Sequence, residues 1–366
     1  MTNVSEELTA KIAQKFFLDK HIFSNVLYSH INGESELCDI MIEFIDYYIC
    51  IQVKEKSEAG KSGDWEWFKK TVLKKAIKQA RDSDQTIKDS NIKFFIYSNN
   101  REKITININH NKPVIQLVVF CNSEISSYDR CHFSTSLNKN INIFSYEDFC
   151  TMLKTICMPY DIVGYVLQRS KYMPLNGGKR FIFEDLADDL TLLSMPTTEK
   201  DYAEMYLAKN YYSHDIKLEY LGFYNEFLSM IYKDYSDRFS EMFDTLISAD
   251  ATLANRIVSN YCSILERLNI STWDKPLFVH DRDNGILFIR KPLLSTDKEL
   301  KNYINNFGTY FAYKHKINNI YLLIFVGGEK DTFKINVGFC QYDMSLYDFE
   351  LEKQIKEIDE LLRNNI

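Results

Sequence analysis

Two neighbouring stretches decide the reading of this chain: Leu37-Cys38-Asp39-Ile40-Met41-Ile42-Glu43-Phe44 and Tyr47-Tyr48-Ile49-Cys50-Ile51-Gln52-Val53-Lys54-Glu55. Both are apolar runs of strand length, and only Ile45 and Asp46 separate them, which predicts two adjacent strands joined by a tight connection. Asp39 stands inside the first run, where desolvation disfavours its charge unless a cation or a hydrogen-bond donor compensates. In the second run the alternation of side chains puts Gln52 and Lys54 on one face. If the strands are neighbours, Asp39, Gln52 and Lys54 converge. A carboxylate and an amide oxygen are hard oxygen ligands suited to Mg²⁺, and a lysine beside them can orient water or stabilise charge on a phosphorus centre, so the cluster suits phosphodiester hydrolysis. A plainer reading pairs Asp39 with Lys54 at a strand edge. It leaves unexplained why both sit in otherwise apolar runs.

Upstream, residues 4 to 18 carry Leu8, Ile12 and Phe16 on one helical stripe and Ala10, Ala13 and Phe17 on the next, which predicts an opening helix with Ser5 as its N-cap and a turn at Asn32-Gly33 after it. Downstream, Lys56 to Gly63 reads as a loop, and Trp65, Phe68, Val72, Ala76 and Ala80 then recur at helical spacing. Strands follow at Ile92 to Tyr97 and Val114 to Phe120, the latter apolar apart from Gln116, as in a strand covered on both faces. The order α, β, β, α, β, β predicts an α/β fold, a mixed sheet flanked by helices. Ile141 to Met173 reads as a strand followed by helices, ending before the loop Pro174 to Gly178, where the domain boundary is expected.

This arrangement resembles the PD-(D/E)XK nuclease superfamily: an N-terminal helix, a strand with Asp39, a strand ending in Gln52-Val53-Lys54, and a helix. Gln-x-Lys in place of Glu-x-Lys is similar to its Mrr-like branch. The resemblance covers about the first 120 residues, more loosely the first 170. It implies a restriction-endonuclease-like fold for residues 1–173 and a Mg²⁺-dependent endonuclease, with Mn²⁺ as a substitute metal. Asp39 would be the metal-binding acid, Gln52 the second position of the motif and Lys54 the catalytic lysine. The family often adds a glutamate from the first helix. Glu6 is the best match, sharing a face with Ala10, Ala13 and Phe17, with Glu7 as the alternative. Gln52 departs from the commoner pattern; a neutral ligand holds Mg²⁺ less strongly, which makes a helix carboxylate matter more. DNA is the substrate this resemblance favours over RNA, and standalone bacterial proteins of similar arrangement are often linked to restriction or antiviral defence against phage.

On the helix after the motif, Lys70, Lys74, Lys78 and Arg81 fall at spacings of four, four and three, a stripe opposite the apolar positions that could follow a phosphate backbone as well as serve as a solvated face. Gln79 lies where some relatives carry a glutamine near the active site; as a lone polar residue it reads equally as exposed. Charge is distributed in the same sense. The net charge of −7 argues against general coating of nucleic acid, but residues through Lys171 hold 22 Lys and Arg against 21 Asp and Glu, and the remainder 22 against 30. Lys54 to Arg81 holds nine basic and four acidic side chains, enough for a local phosphate-attracting surface.

The length of 366 residues predicts two domains, and 45% hydrophobic residues suffice for substantial cores. No apolar run approaches the roughly 20 residues of a membrane span, and the polar start lacks the pattern of a signal peptide, so a cytoplasmic protein is expected. The eight cysteines are scattered without a CxxC pair and read as reduced and structural. Residues 179–366 read as a second region, helical from 183 to 270 and α/β beyond. Leu277 to His280 and Ile286 to Arg290 flank the hairpin signal Asp283-Asn284-Gly285. Thr296 and Glu299 form a capping box for a helix from Asp297, followed by strands Ile320 to Val326 and Phe333 to Phe339 and a charged C-terminal helix. This region would regulate, select substrate or assemble the protein, through a protein partner or a homo-oligomer. Gly177-Gly178-Lys179-Arg180 lacks the first glycine and the Ser/Thr of a P-loop, His280-Asp281-Arg282-Asp283 sits at a hairpin tip, and neither HExxH nor GxSxG occurs. Two rivals to an enzyme stand: a nuclease-like fold that binds nucleic acid without cutting, and an interaction module whose Tyr- and Phe-rich second half docks a partner.

Overall fold

A computed structural model describes the chain apart from residues 1–3, 31–32, 45, 57–62, 99, 173–197, 212–216, 236–238, 269–271, 274, 281–283, 328–332, 347–348 and 365–366. The loop Pro174 to Gly178, the Gly177 to Arg180 segment and Asp281 to Asp283 lie outside the described residues. The chain packs as two units, Met1–Asp215 and Ile216–Ile366. The division thus falls later than the loop that the sequence suggested, because the helix Glu199–Tyr211 packs on the first unit.

The first unit is built on an eight-stranded mixed sheet, which bears out the α/β class. Helix α1 (Val4–Phe17) precedes β1 (Ile22–His30), β2 (Gly33–Phe44) and β3 (Tyr47–Glu55). A long helix follows, beginning as α2 (Asp64–Trp67), widening into a π-helical stretch (Phe68–Ala76) and ending as α3 (Ile77–Ile87). Then come β4 (Phe94–Tyr97), β5 (Lys103–Ile106), β6 (Val114–Cys121), β7 (Cys131–Ser134), β8 (Lys139–Ser145), α4 (Tyr146–Ile156), α5 (Pro159–Tyr172) and α6 (Glu199–Tyr211). The strand order is β5-β4-β1-β2-β3-β6-β8-β7, with β3, β6 and β8 parallel and the other pairs antiparallel. Val114 to Phe120 is buried throughout, as a central parallel strand requires.

Three expectations need correcting. Ser5 is not an N-cap: the helix already includes Val4, and Ser5 is buried, its carbonyl accepting from Thr9 Oγ1 at 2.7 Å. Strand β1, Ile22 to His30, was not foreseen, because only Val26 is buried and the apolar alternation that marks a strand is weak. Trp65 is 47% exposed rather than part of the buried stripe; Trp67 is buried instead. Trp65 stands three residues before Phe68, off the four-residue repeat by which Phe68, Val72, Ala76 and Ala80 pack with Val118, Phe120, Ile141 and Ile143.

The second unit contains α7 (Leu218–Tyr235), α8 (Ser240–Ile247), α9 (Ala251–Glu266), β9 (Leu277–His280), β10 (Asn284–Lys291), α10 (Asp297–His315), β11 (Asn319–Gly327), β12 (Phe333–Gln341) and α11 (Phe349–Asn364). Its sheet runs β12-β11-β10-β9, with β9 and β10 antiparallel and β10 and β11 parallel across α10. Both bonds of the capping box between Thr296 and Glu299 are present. No described helix is long and apolar enough to cross a membrane.

Helix α6 is fixed by its first residue. Glu199 is fully buried and accepts from Arg169 Nε at 2.9 Å, Arg169 Nη2 and Arg130 Nη1 at 2.8 Å, and Tyr165 Oη at 2.6 Å. Arg169 is equally buried and lies 3.6 Å from the Phe144 ring centre. Removing one member of such a pair leaves an uncompensated charge in the core. Glu199→Ala is therefore expected to cost about 3–5 kcal/mol in urea denaturation, and Glu199→Ala with Arg169→Met to recover most of it. A single-variant loss below ~1 kcal/mol would mean that the pair does not hold the helix.

Candidate active site at the opening between β2 and β3

The β2–β3 ladder runs from Phe44↔Tyr47 to Ile40↔Ile51 and stops there, whereas the other edge of β3 stays paired with β6 as far as Glu55↔Cys121. Beyond Ile51 the next inward-pointing amide of β3, that of Val53, needs an acceptor that the ladder no longer supplies. Asp39 supplies it: Oδ2 accepts from Val53 N at 2.5 Å. The same oxygen lies 3.4 Å from Lys54 Nζ, which also donates to Val53 O at 2.9 Å. Asp39 is 4% exposed and Lys54 half-buried, so this pair is not a solvated surface bridge. The structure thus brings Asp39 and Lys54 together.

On the other edge of β2 the register with β1 shifts between Val26↔Cys38 and Leu27↔Glu36, making Leu37 the extra residue of a bulge. Its carbonyl is satisfied by side chains. Gln52 Nε2 donates to Leu37 O at 3.0 Å, and Ser83 of α3 donates to the same oxygen. Gln52 Nε2 lies 3.4 Å from Ser83 Oγ, which bonds Gln79 O at 2.8 Å. A carbonyl only accepts, so the amide must turn its NH₂ toward Leu37, which leaves the Gln52 carbonyl oxygen on the opposite side of the amide. Gln52 is 2% exposed.

Sequence reasoning missed Glu36 and Ser83. Glu36 follows Glu34 and Ser35 and looks like the polar lead-in to a strand, yet its carboxyl interacts with Asp39. The residue is exposed at the open strand end, but protein around the carboxyl desolvates it, and this burial, then the charge and hydrogen bond of Asp39, then the charge of Glu6, push its pKa up to about 7, with Lys54 opposing. Glu6 is therefore within electrostatic reach of the cluster, whereas Glu7 is exposed and tied to Lys11 at 2.5 Å. Only the three-residue step from Glu36 to Asp39 could have signalled the second carboxylate.

The lysine stripe is divided. Lys70, Lys74 and Lys78 are exposed, Lys70 pairing with Glu66 at 3.3 Å, while Lys74 and Lys78 join no ion pair among the described residues. Arg81 is half-buried with Nε buried and unbonded, so it does not continue an exposed stripe. Gln79 is also half-buried, its Oε1 without a hydrogen-bond partner.

Among the described residues no three His, Cys, Asp or Glu side chains form a ready metal cage. Mg²⁺ does not demand one, because it keeps several waters and binds through one or two carboxylates. Two interacting carboxyls, Asp39 and Glu36, with Lys54 at hand, form a donor set of the right chemistry, and burial and the charge of Asp39 together raise the Glu36 pKa. Comparison with protein families, curated proteins and solved structures finds no match.

A carboxyl whose folded pKa, about 7 for Glu36, lies above its ordinary 4.5 binds protons more tightly when folded, so its contribution to stability is full below pH 4.5 and is lost as pH rises through 7. In chelator-treated protein, Glu36→Gln is expected to flatten the fall in urea midpoint across that window. An unchanged pH profile would mean that Glu36 does not interact with Asp39 as described.

Proposed function

We propose that the first unit is a metal-dependent nuclease of PD-(D/E)XK type, with a restriction-endonuclease-like core, that hydrolyses phosphodiester bonds of DNA. The observation that carries this reading is the meeting of Asp39 and Lys54 where β2 and β3 part, with Gln52 bonded to β2 two residues away at Leu37 and Glu36 and Glu6 adding carboxyls. Asp39 and Glu36 would hold Mg²⁺, with the Gln52 oxygen as a neutral ligand and Glu6 as the helix carboxylate. Bound there, the ion would polarise a phosphate oxygen and lower the pKa of a coordinated water. Lys54, anchored by Val53 O, is positioned to stabilise negative charge that builds on the phosphorus oxygens. Its contact with Asp39 would hold the lysine in place before substrate arrives. The exposed Lys74 and Lys78 would track the phosphate backbone one helix away. A role in restriction or antiviral defence in the cytoplasm accords with this chemistry.

One observation favours a second reading, nucleic-acid binding without cleavage. Asp39 already serves Val53 N–H and Lys54, so its oxygen is engaged within the protein.

The two readings separate in a cleavage assay on plasmid and linear DNA with Mg²⁺ or Mn²⁺. Lys54→Ala is expected to lower the cleavage rate by about 10²-fold or more, as loss of a charge-stabilising group does, with the melting temperature little changed. Asp39→Asn is expected to abolish Mn²⁺ binding in calorimetry, since the amide can still accept from Val53 N but cannot supply the charge. A folded Lys54→Ala variant that cuts at the parental rate removes the nuclease reading.

For the stripe, Lys74→Ala with Lys78→Ala is expected to reduce the log-log salt slope of duplex binding by about 2, roughly one for each phosphate no longer neutralised by a lysine. An unchanged slope would make these lysines a solvated face.

A further inference from the structure

The second unit holds a cavity of about 430 Å³ along β9, the edge strand of its sheet, walled by α9 and α10. Its chemistry is of two kinds. Four rings form a continuous group: Phe278 stacks on Phe311 at 4.5 Å and 15°, and His280 and His315 lie 4.4 Å apart, each within 6 Å of Phe278. Gly285, opposite His280 on β10, makes this possible, because a Cβ there would stand 2.4 Å from the Phe278 ring. The other component is charge. Arg256 and Lys275 line the cavity, both exposed and neither in an ion pair among the described residues, and no carboxylate appears among the lining side chains. Burial, then His280 and Lys314, hold the His315 pKa below its ordinary value, and Asp359 opposes them.

We propose that this cavity binds a small anion carrying a planar ring, of the nucleoside monophosphate class. Its size falls in the range of small-ligand sites, about 300–1,000 Å³. The rings would stack on the planar part, and Arg256 and Lys275 would take the anionic group, a division of labour that neither an apolar ligand nor inorganic phosphate would use in full. Because β9 is an edge strand, an acidic peptide adding as a further strand is the competing occupant. A strand of four residues offers few ladder bonds to such a peptide, and of the four rings the exposed His280 and half-buried His315 are the ones open to a planar ligand, with Phe278 and Phe311 packing them from the core. The proposal does not depend on the nuclease reading of the first unit.

Calorimetric titration of the full chain tests it, with AMP, ribose 5-phosphate, inorganic phosphate and a tetraglutamate peptide as probes. AMP is expected to bind saturably, ribose 5-phosphate about tenfold more weakly for lack of a base, and phosphate more weakly still. Arg256→Gln with Lys275→Gln, both exposed positions that leave the core untouched, is expected to weaken AMP at least tenfold at an unchanged melting temperature. His280→Ala, a second variant at an exposed position, is expected to weaken AMP and leave phosphate unchanged. No saturable AMP binding up to millimolar concentration overturns the proposal, as do equal affinities for AMP and ribose 5-phosphate, parental affinity in the Arg256/Lys275 variant, or a preference for the peptide.

Discussion

Where β2 and β3 part, one backbone N–H would be left without a partner, and the Asp39 carboxylate takes it. That bond fixes more than one amide. It gives a carboxyl group inside an apolar strand the donor that burial demands, and it sets the oxygen within reach of Lys54 at the end of β3. Residue 39 is thus structural and chemical at once. An asparagine there separates the two roles, because its carbonyl can still accept from Val53 while its charge is gone.

The opening is held from behind by the bulge at Leu37. A bulge turns a carbonyl out of its ladder, and here the turned carbonyl is bonded by Gln52 and Ser83, one from the neighbouring strand and one from the helix above. Helix α3 is tied to the sheet a second time through Asp84, a buried carboxylate paired with Lys139, which in turn donates to Val114 O at 2.6 Å. The helix that contains the π-helical stretch and α3 carries a four-residue repeat on both faces: Phe68, Val72 and Ala76 toward the core, Lys70, Lys74 and Lys78 toward solvent.

The sequence carried the parts of this fold that depend on local pattern. Two apolar runs separated by two residues read as paired strands, and Val114 to Phe120, apolar apart from Gln116, as a central one. The capping box at Thr296 was legible because its two bonds lie three residues apart; the pairing of β9 with β10 was legible from its two apolar runs, but Asn284 and Gly285, read as the turn, stand in β10 without positive φ. What failed to show was non-local. Strand β1 is held by β2 on one side and β4 on the other rather than by its own burial pattern, and α6 joins the first unit through Glu199 and two arginines at least 30 residues away. Within the site, Asp39 and Lys54 stood out as polar residues in apolar company, whereas Glu36 stood among polar neighbours and carried no such contrast.

The glutamine at position 52 follows from the same geometry. Its NH₂ must donate to Leu37 O, and an ionised glutamate has no proton to donate, so it would set one acceptor against another in a site 2% exposed to solvent. The charge balance points the same way. Asp39, Glu36 and Glu6 already face Lys54 as the cation within the cluster, and their mutual repulsion, added to burial, brings Glu36 to about 7. A further carboxylate at position 52 would push protons onto its neighbours rather than add a usable charge, because like charges in a desolvated cluster cannot all ionise. The hydrogen bond to Leu37 O thus requires a donor at position 52, and the second carboxyl beside Asp39 comes from Glu36, on the strand that already carries Asp39.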